Sequence, residues 1–409
     1  METHLADWIK GTPDGIEAES ILRTCVHCGF CNATCPTYQL LGDELDGPRG
    51  RIYQIKQMLE GHEPSQSTQL HLDRCLTCMN CETTCPSGVR YGRLVDIGRA
   101  VVEERVPRQR ADARRRAFLR FVLTRRWIFD PAVRLGRLFR TMLPARLQAK
   151  LPAARAAGTL PQRQHARKIL LLNGCVQPAL IPAIDAATAR VLDALGIQAL
   201  IEPDSGCCGA IDYHLGAHAA AQMAAHRNID AWWPHIERGA EAIVINASGC
   251  GAMVKDYGHL LRGDAAYAEK ARGVSGLTRD VAEFLIPFAD ELAVRMASKP
   301  RPRVAFHPPC TLQHAQKLRG IPESLLASLG ADLVPVADAH LCCGAAGTYA
   351  LLQPELSQQL RSNKLGALER GKPDLILSAN IGCLTHLETG TGIPVRHWIE
   401  WVDQRMTGA

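Results

Sequence analysis

The sequence predicts a chain of α + α/β class: a mainly helical N-terminal region, a basic helical linker, then two tandem α/β repeats built on parallel sheets. Three observations predict it. Two runs of the form Cys-x2-Cys-x2-Cys-x3-Cys-Pro begin at Cys25 and Cys75, 50 positions apart. Two later segments each read strand, helix, strand, helix, strand around a Cys-Cys-Gly, and the second Cys-Cys-Gly follows the first by 135 residues. Between them runs a proline-punctuated stretch dense in arginine. With 409 residues, 46% hydrophobic and 22% charged, the chain has material for two or three domains with real cores. The boundaries expected are 1–105 for the helical region, 106–165 for the linker, 166–295 for repeat one and 300–405 for repeat two.

Sixteen cysteines are heavy usage for a chain in which no leader is expected. Residues 1–11 carry Glu2, Asp7 and Lys10 and no apolar core, so no signal peptide is expected. No apolar run reaches the ~18–20 residues that cross a bilayer. Cysteines in that setting point to metal or redox chemistry rather than disulfides, and to a cytoplasmic location, peripheral on the inner face of the cytoplasmic membrane at most.

The first region follows the spacing of bacterial two-cluster 4Fe–4S ferredoxins. Three thiolates spaced by two residues wrap three corners of one iron–sulfur cube. The fourth, before proline, lies beyond that loop and ligates the other cube. The expected ligand sets are therefore Cys25, Cys28, Cys31 and Cys85 for one cluster, and Cys75, Cys78, Cys81 and Cys35 for the second. Zinc usually takes paired CxxC units instead. Ile52, Tyr53, Ile55, Met58 and Leu59, and then Val89, Leu94, Ile97 and Val101, recur at helical spacing, so this ferredoxin is expected to be helical rather than a minimal hairpin. Arg49 and Arg51 stand in a Gly-Pro-Arg-Gly-Arg turn. They are read as surface charges of that turn, with the raising of a cluster's potential as the alternative.

The linker concentrates the charge. Residues 99–168 hold nineteen Lys or Arg against four acids, in a chain whose net charge is only +6. Phe118, Phe121, Trp127, Leu135, Leu138, Phe139 and Met142 interleave with the arginines, which predicts short amphipathic helices. Their apolar face either packs on the rest of the protein or docks on a partner subunit or an anionic membrane. Nucleic acid is not expected, because no binding motif accompanies the charge.

In repeat one the strands are expected at 169–172, 198–201 and 242–246, with helices over 185–196 and 214–232. Alternation of this kind makes a parallel sheet. It puts Cys175, Cys207, Cys208 and Cys250 just past strand ends, the edge where such sheets bind ligands. Cys310, Cys342, Cys343 and Cys383 are their counterparts in repeat two. A helix opening after each Cys-Cys-Gly would turn its positive end to the thiolates. His307, His340 and His386 are expected to donate hydrogen bonds around the second set. These eight are candidates for one or two further metal sites, and zinc stays open there beside iron–sulfur.

Together the paired CxxCxxCxxxCP runs and two CCG repeats resemble the iron–sulfur subunit of bacterial glycolate dehydrogenase, also called glycolate oxidase. Cys25-Val26-His27-Cys28-Gly29-Phe30-Cys31, Gly47-Pro48-Arg49-Gly50-Arg51 and Thr311-Leu312-Gln313-His314-Ala315 carry the likeness, which runs from about Ser20 to Trp401. The resemblance implies an electron-transfer subunit, not catalytic on glycolate by itself. Electrons would come from flavoprotein subunits that oxidise glycolate to glyoxylate and pass on towards a quinone-linked respiratory acceptor. No GxGxxG, P-loop or nucleophile elbow is visible in the chain, in keeping with a flavin held elsewhere. CCG repeats also occur in heterodisulfide reductases and in subunits for lactate or glycerol-3-phosphate oxidation. The disulfide-reducing pattern needs a fifth cysteine per repeat, and here Met253 and His386 hold those places.

Overall fold

The structure, a computed structural model, describes residues 1–144, 148, 151–296 and 301–407. The chain forms two compact units. One comprises Met1–Ala117, His214–Gly216 and His340–Lys364, and the other Phe118–Tyr213, Ala217–Ala339 and Leu365–Ala409. The first unit thus recruits the Cys-Cys-Gly segment of the second repeat.

The first unit is helical, as the apolar spacing requires. Helix Pro13–Thr24 starts on Thr12, whose hydroxyl accepts from the Gly15 N–H, with proline at its first position. Helix Gln66–Asp73 opens with a reciprocal Ser65/Thr68 capping box. Helices Pro48–Leu59 and Tyr91–Arg105 carry Ile52, Ile55, Met58, Leu59, Leu94, Val95 and Val101 into one core. Cys25, Cys75 and Cys81 belong to that core. Three short helices, Phe30–Ala33, Pro36–Leu41 and Asn80–Thr84, grow directly out of the cysteine runs.

Among the described residues the linker forms amphipathic helices, as expected, at Arg110–Leu123 and Arg126–Leu138, then a 3-10 turn, Arg140–Met142. Their polar sides are tied down. Arg108 and Arg116 both pair with Asp73, at 2.7 and 2.8 Å, and Arg120 pairs with Asp212 at 2.7 Å. Their apolar sides are left open. Helix Arg110–Leu123 buries nothing, and Arg126–Leu138 buries only Val133. Trp127 is 73% exposed and Met142 78%, and Phe118, Phe121, Leu135, Leu138 and Phe139 are exposed as well. Packing of this face on the rest of the protein, one of the two expected roles, is partial: Val133 is buried and Ile128 and Phe129 partly so, while Trp127, Leu135 and Leu138 stay open.

The second unit holds two parallel four-stranded sheets. In the first, β1 (Arg167–Leu171), β2 (Ile197–Leu200), β3 (Ile243–Ile245) and β4 (Thr278–Asp280) lie in the order β2-β1-β3-β4. In the second, β5 (Arg303–His307), β6 (Asp332–Leu333), β7 (Leu375–Ser378) and β8 (Val395–His397) repeat that order as β6-β5-β7-β8. Identical order and parallel pairing throughout make the duplication structural as well as sequential. Ile169, Leu170, Ile243, Val244, Ile376 and Leu377 are fully buried, as continuous apolar runs in a parallel sheet must be. The fourth strand of each sheet was not expected. Thr-Arg-Asp and Val-Arg-His are three-residue strands with one apolar residue between them, too short for alternation to betray them.

The two repeats meet through polar contacts within this unit. The Ser248 hydroxyl lies 2.8 Å from that of Thr311, and its N–H donates to Ala379 O at 3.1 Å. Arg190 pairs with Asp403 at 2.6 Å. His397, wholly buried, donates from Nε2 to Asn246 O at 2.8 Å, and its Nδ1 accepts from the Ile399 N–H at 3.2 Å.

Candidate metal centres

Each cysteine run of the first unit bends back through left-handed backbone at matching positions. These are His27 and Gly29 in the first run, Thr77 and Met79 in the second, with φ of 60, 86, 51 and 58°. Three of the four are not glycine, so the loops hold strain of about 1–3 kcal/mol per residue, a cost usually met at functional sites. The bends turn the sulfurs inward. Cys25, Cys28, Cys31 and Cys85 line one recess with about 420 Å³ of empty space. Cys35, Cys75, Cys78 and Cys81 line a second, of about 300 Å³, and Cys81 forms the wall between the two.

The electrostatics sort the sulfurs in the same way. Burial, then the neighbouring Cys25, Cys85 and Cys28, pushes the Cys31 thiol up to about 11. Burial pushes Cys81 far higher, and the sulfurs it feels are Cys78, Cys75 and Cys35. Cys35 is also raised, by burial first, against the lowering pull of Arg51. Thiols so crowded and desolvated stay protonated alone, whereas a bound cation deprotonates them. Donors wait for the resulting charge. The Thr77 N–H and Tyr91 hydroxyl point to Cys75 Sγ at 3.4 and 3.6 Å, and the Thr37 hydroxyl lies 3.3 Å from Cys35 Sγ. No disulfide joins any of the sixteen cysteines. The residues therefore fit two cubane clusters, each with three thiolates from one run and the fourth from the other.

In repeat one the four expected sulfurs converge in a chain of contacts, Cys175 to Cys207, Cys207 to Cys208 and Cys208 to Cys250. Hydrogen bonding from its two neighbours lowers Cys207, while Cys175 and Cys208 go up. The loop is held from behind. Asn228 donates to Cys207 O at 3.1 Å and accepts from the Gly206 N–H at 2.8 Å, and the Tyr257 hydroxyl donates to Cys208 O at 2.9 Å. Met253, at the fifth-ligand place, is core of the repeat. In repeat two, Cys310 opens a single π turn, Thr311–Ala315, and Cys383 lies in helix Ile381–Glu388, both in the second unit. Cys342 and Cys343 lie in the first. The Asn380 amide points to Cys383 Sγ at 3.8 Å, and the Gly344 N–H to Cys342 Sγ at 3.3 Å. His307 is fully buried at the end of β5, and His340 and His386 are partly buried.

Two expectations are corrected. A helix does open directly after Gly209, at Ala210–His214, but in repeat two the chain turns through Ala346 (φ 35°) and Gly347 (φ 61°) before helix Tyr349–Leu352. Arg51 is no surface charge. It is 1% exposed, and its counter-ion Asp46 is fully buried. Sequence reasoning also passed over Tyr91, Asn228 and Tyr257, which lie 16, 21 and 49 residues from the cysteines they hold, and Asn380, three residues before Cys383.

The Cys-Cys-Gly glycines are required by shape. Gly209 and Gly344 have φ of 90 and 89°, and a Cβ there would lie 3.0 Å from Ala221 O and 2.6 Å from Ser357 O. Gly344→Ala is expected to destabilise the protein by roughly 2–3 kcal/mol and Gly209→Ala by less. Denaturant midpoints check this, and a wild-type midpoint for Gly344→Ala would contradict it.

Comparison with known families agrees with this construction. The family model described as "4Fe-4S dicluster domain" matches residues 21–89, and "Cysteine-rich domain" matches 169–255 and 304–388. The class is therefore an iron–sulfur protein with a two-cluster region and duplicated cysteine-rich domains. Over 407 residues, 99% of both chains, it is 56% identical to the "Glycolate oxidase iron-sulfur subunit" of Escherichia coli. It is 30% identical to the "Probable glycolate oxidase iron-sulfur subunit" of Bacillus subtilis, over 91% of this chain and 89% of that one. "Lactate utilization protein A" of Geobacillus thermodenitrificans is 28% identical over 58% of this chain and 99% of its own. The chain belongs to the family of glycolate oxidase iron–sulfur subunits.

Proposed function

We propose that this chain is the electron-carrying subunit of a multi-subunit, flavin-dependent glycolate dehydrogenase. Cys25, Cys28, Cys31 and Cys85 hold one 4Fe–4S cluster, and Cys75, Cys78, Cys81 and Cys35 the other. The clusters supply one-electron transfer; the protein supplies their ligands, the hydrogen bonds to sulfur and the exclusion of water. The observation that carries the reading is that Cys85 joins Cys25, Cys28 and Cys31 in one recess and Cys35 joins Cys75, Cys78 and Cys81 in the other, with Cys81 on the wall they share. Cys175, Cys207, Cys208 and Cys250 form a third site, and the duplication assigns the same role to Cys310, Cys342, Cys343 and Cys383. With Met253 and His386 in place of fifth cysteines, ordinary clusters suit the repeats better than disulfide-cleaving ones. The first recess is the open one: Cys28 is exposed, with Val26, Phe30 and Tyr53 exposed around it.

Glycolate is oxidised on a flavoprotein partner. The test is to purify the complex anaerobically, identify its subunits and follow glycolate-dependent dye reduction. Reduction is expected with the flavoprotein present and absent from this chain alone; turnover by the chain alone would overturn the assignment.

The linker docks this subunit on an anionic lipid surface, from which electrons pass to a quinone-linked acceptor. No helix among the described residues is long and apolar enough to cross a membrane. The open apolar face of Arg126–Leu138, flanked by arginines, is instead the pattern of an interfacial helix. The chain should co-sediment with anionic vesicles and release as salt screens exposed charge beyond about 10 Å at 0.1 M. Trp127→Glu should weaken this, and neutral vesicles should bind little. Equal sedimentation of wild type and variant would assign the face to a partner subunit.

A further inference from the structure

We infer that Arg51 sets the two ferredoxin centres apart, holding the one built on Cys35, Cys75, Cys78 and Cys81 at a higher reduction potential than the other. The inference rests on the reading that both recesses hold iron–sulfur clusters.

A buried guanidinium is expensive unless fully engaged, and Arg51 is engaged on every side. Its Nε donates to His71 O at 2.7 Å, and both terminal nitrogens reach the Thr37 hydroxyl at 3.2 Å. Nη2 lies 3.3 Å from Asp46 Oδ1. Thr37 in turn touches Cys35 Sγ at 3.3 Å, and Arg51 itself lines the second recess. Its charge acts on both Cys35 and Cys75.

The neighbourhood is not neutral. Asp46 also receives Arg74 at 2.8 Å and faces His71 at 3.1 Å, so two arginines share one carboxylate. Arg99 adds a third cation, donating to Cys75 O at 2.6 Å and to the Thr77 hydroxyl at 2.7 Å, both neutral acceptors. The first recess is lined instead by Arg49, part-exposed and matched one to one by Glu44 at 2.6 Å, and the partly buried ammonium of Met1 donates to Cys25 O at 2.8 Å. One-electron reduction adds a negative charge to a cluster, with no bond made or broken and the guanidinium keeping its protons. A cation in a low-dielectric site stabilises that charge far more than a solvated, paired one. Asp46, and Glu82 beside Cys81, offset part of the charge of the three arginines, but only the second recess holds a fully buried guanidinium, so the pair of centres carries a gradient from the exposed site to the buried one.

The test is EPR-monitored redox titration of the full-length chain, purified anaerobically, with dithionite as reductant. Cys28→Ser, which alters only the first site, assigns the signals. Arg51→Gln should lower the midpoint of the second centre and leave the first unmoved, and Arg51→Lys should stay nearer wild type. Asp46→Asn removes a negative charge and should raise the same midpoint. Full iron content with no shift, or equal shifts in both signals, would overturn the inference while leaving the electron-carrier reading intact. If Arg51→Gln loses iron, Asp46→Asn decides, and an unchanged or lowered midpoint there overturns it. A wild-type chain without two cluster signals would instead end the reading on which the inference rests.

Discussion

Cys35→Ala is expected to destroy the iron centre of the other cysteine run, 40 residues further along the chain, and to spare its own. Cys85→Ala should do the converse. Each variant should lose about four of the roughly eight irons that two cubane clusters require. The reason lies in the recesses. Cys35 lies with Cys75, Cys78 and Cys81, while Cys85 lies with Cys25, Cys28 and Cys31. Removing one thiolate of four leaves an iron corner without its protein ligand and opens the cluster to solvent. Iron analysis and EPR of the full-length chain, prepared without air, read the outcome directly. Loss of the signal that Cys28→Ser also alters, on making Cys35→Ala, would mean that each run closes its own cluster. The full chain is needed, because shortening it after the linker would strip His340–Lys364 from the first unit.

What the sequence disclosed follows from what is local. Cysteine spacing dictates which sulfurs one loop can present, so the gathering of the eight sulfurs around two recesses was legible from two runs 50 positions apart. Continuous apolar runs at Ile169–Leu171 and Ile243–Ile245 announced buried parallel strands, and Gly196 marked the end of a helix. Arg51 was not legible. An arginine beside glycine and proline reads as a surface turn, and its burial depends on Asp46, Thr37 and the carbonyl of His71, which are brought together only by the packing of helices Pro36–Leu41, Pro48–Leu59 and Gln66–Asp73 with the turn Glu44–Asp46. The open side of the linker was undecided for the same reason: periodicity names an apolar face but not what covers it. Nor did the alternation of strands and helices foretell that the second repeat would lend its Cys-Cys-Gly segment to the first unit, since unit boundaries follow contacts distant in sequence.

The second large effect is a pH dependence that wild type conceals. Burial holds His397 down at about 3, against about 6.5 when unfolded. Between those values the unfolded chain takes up a proton that the native one refuses, so this residue withdraws stability as pH falls from 6.5 towards 3. Between pH 7 and pH 5 the loss is about 2 kcal/mol. Asp280 and Asp185 act the other way. Burial raises them to about 7 and about 6, so their protonated native forms favour folding below the ordinary carboxylate value, and that contribution is lost as pH rises through 6 and 7. The opposing groups leave the wild-type profile shallow. His397→Gln keeps a donor for Asn246 O, the contact across the two repeats, but cannot titrate. Relative to wild type it should therefore gain about 2 kcal/mol between pH 7 and pH 5, read as the difference in urea unfolding free energy under anaerobic conditions. Asp280→Asn should lose a similar amount over the same interval. Parallel profiles for wild type and His397→Gln would show that the imidazole is charged or solvated in the folded state, and that the join between the repeats does not depend on a neutral, buried ring.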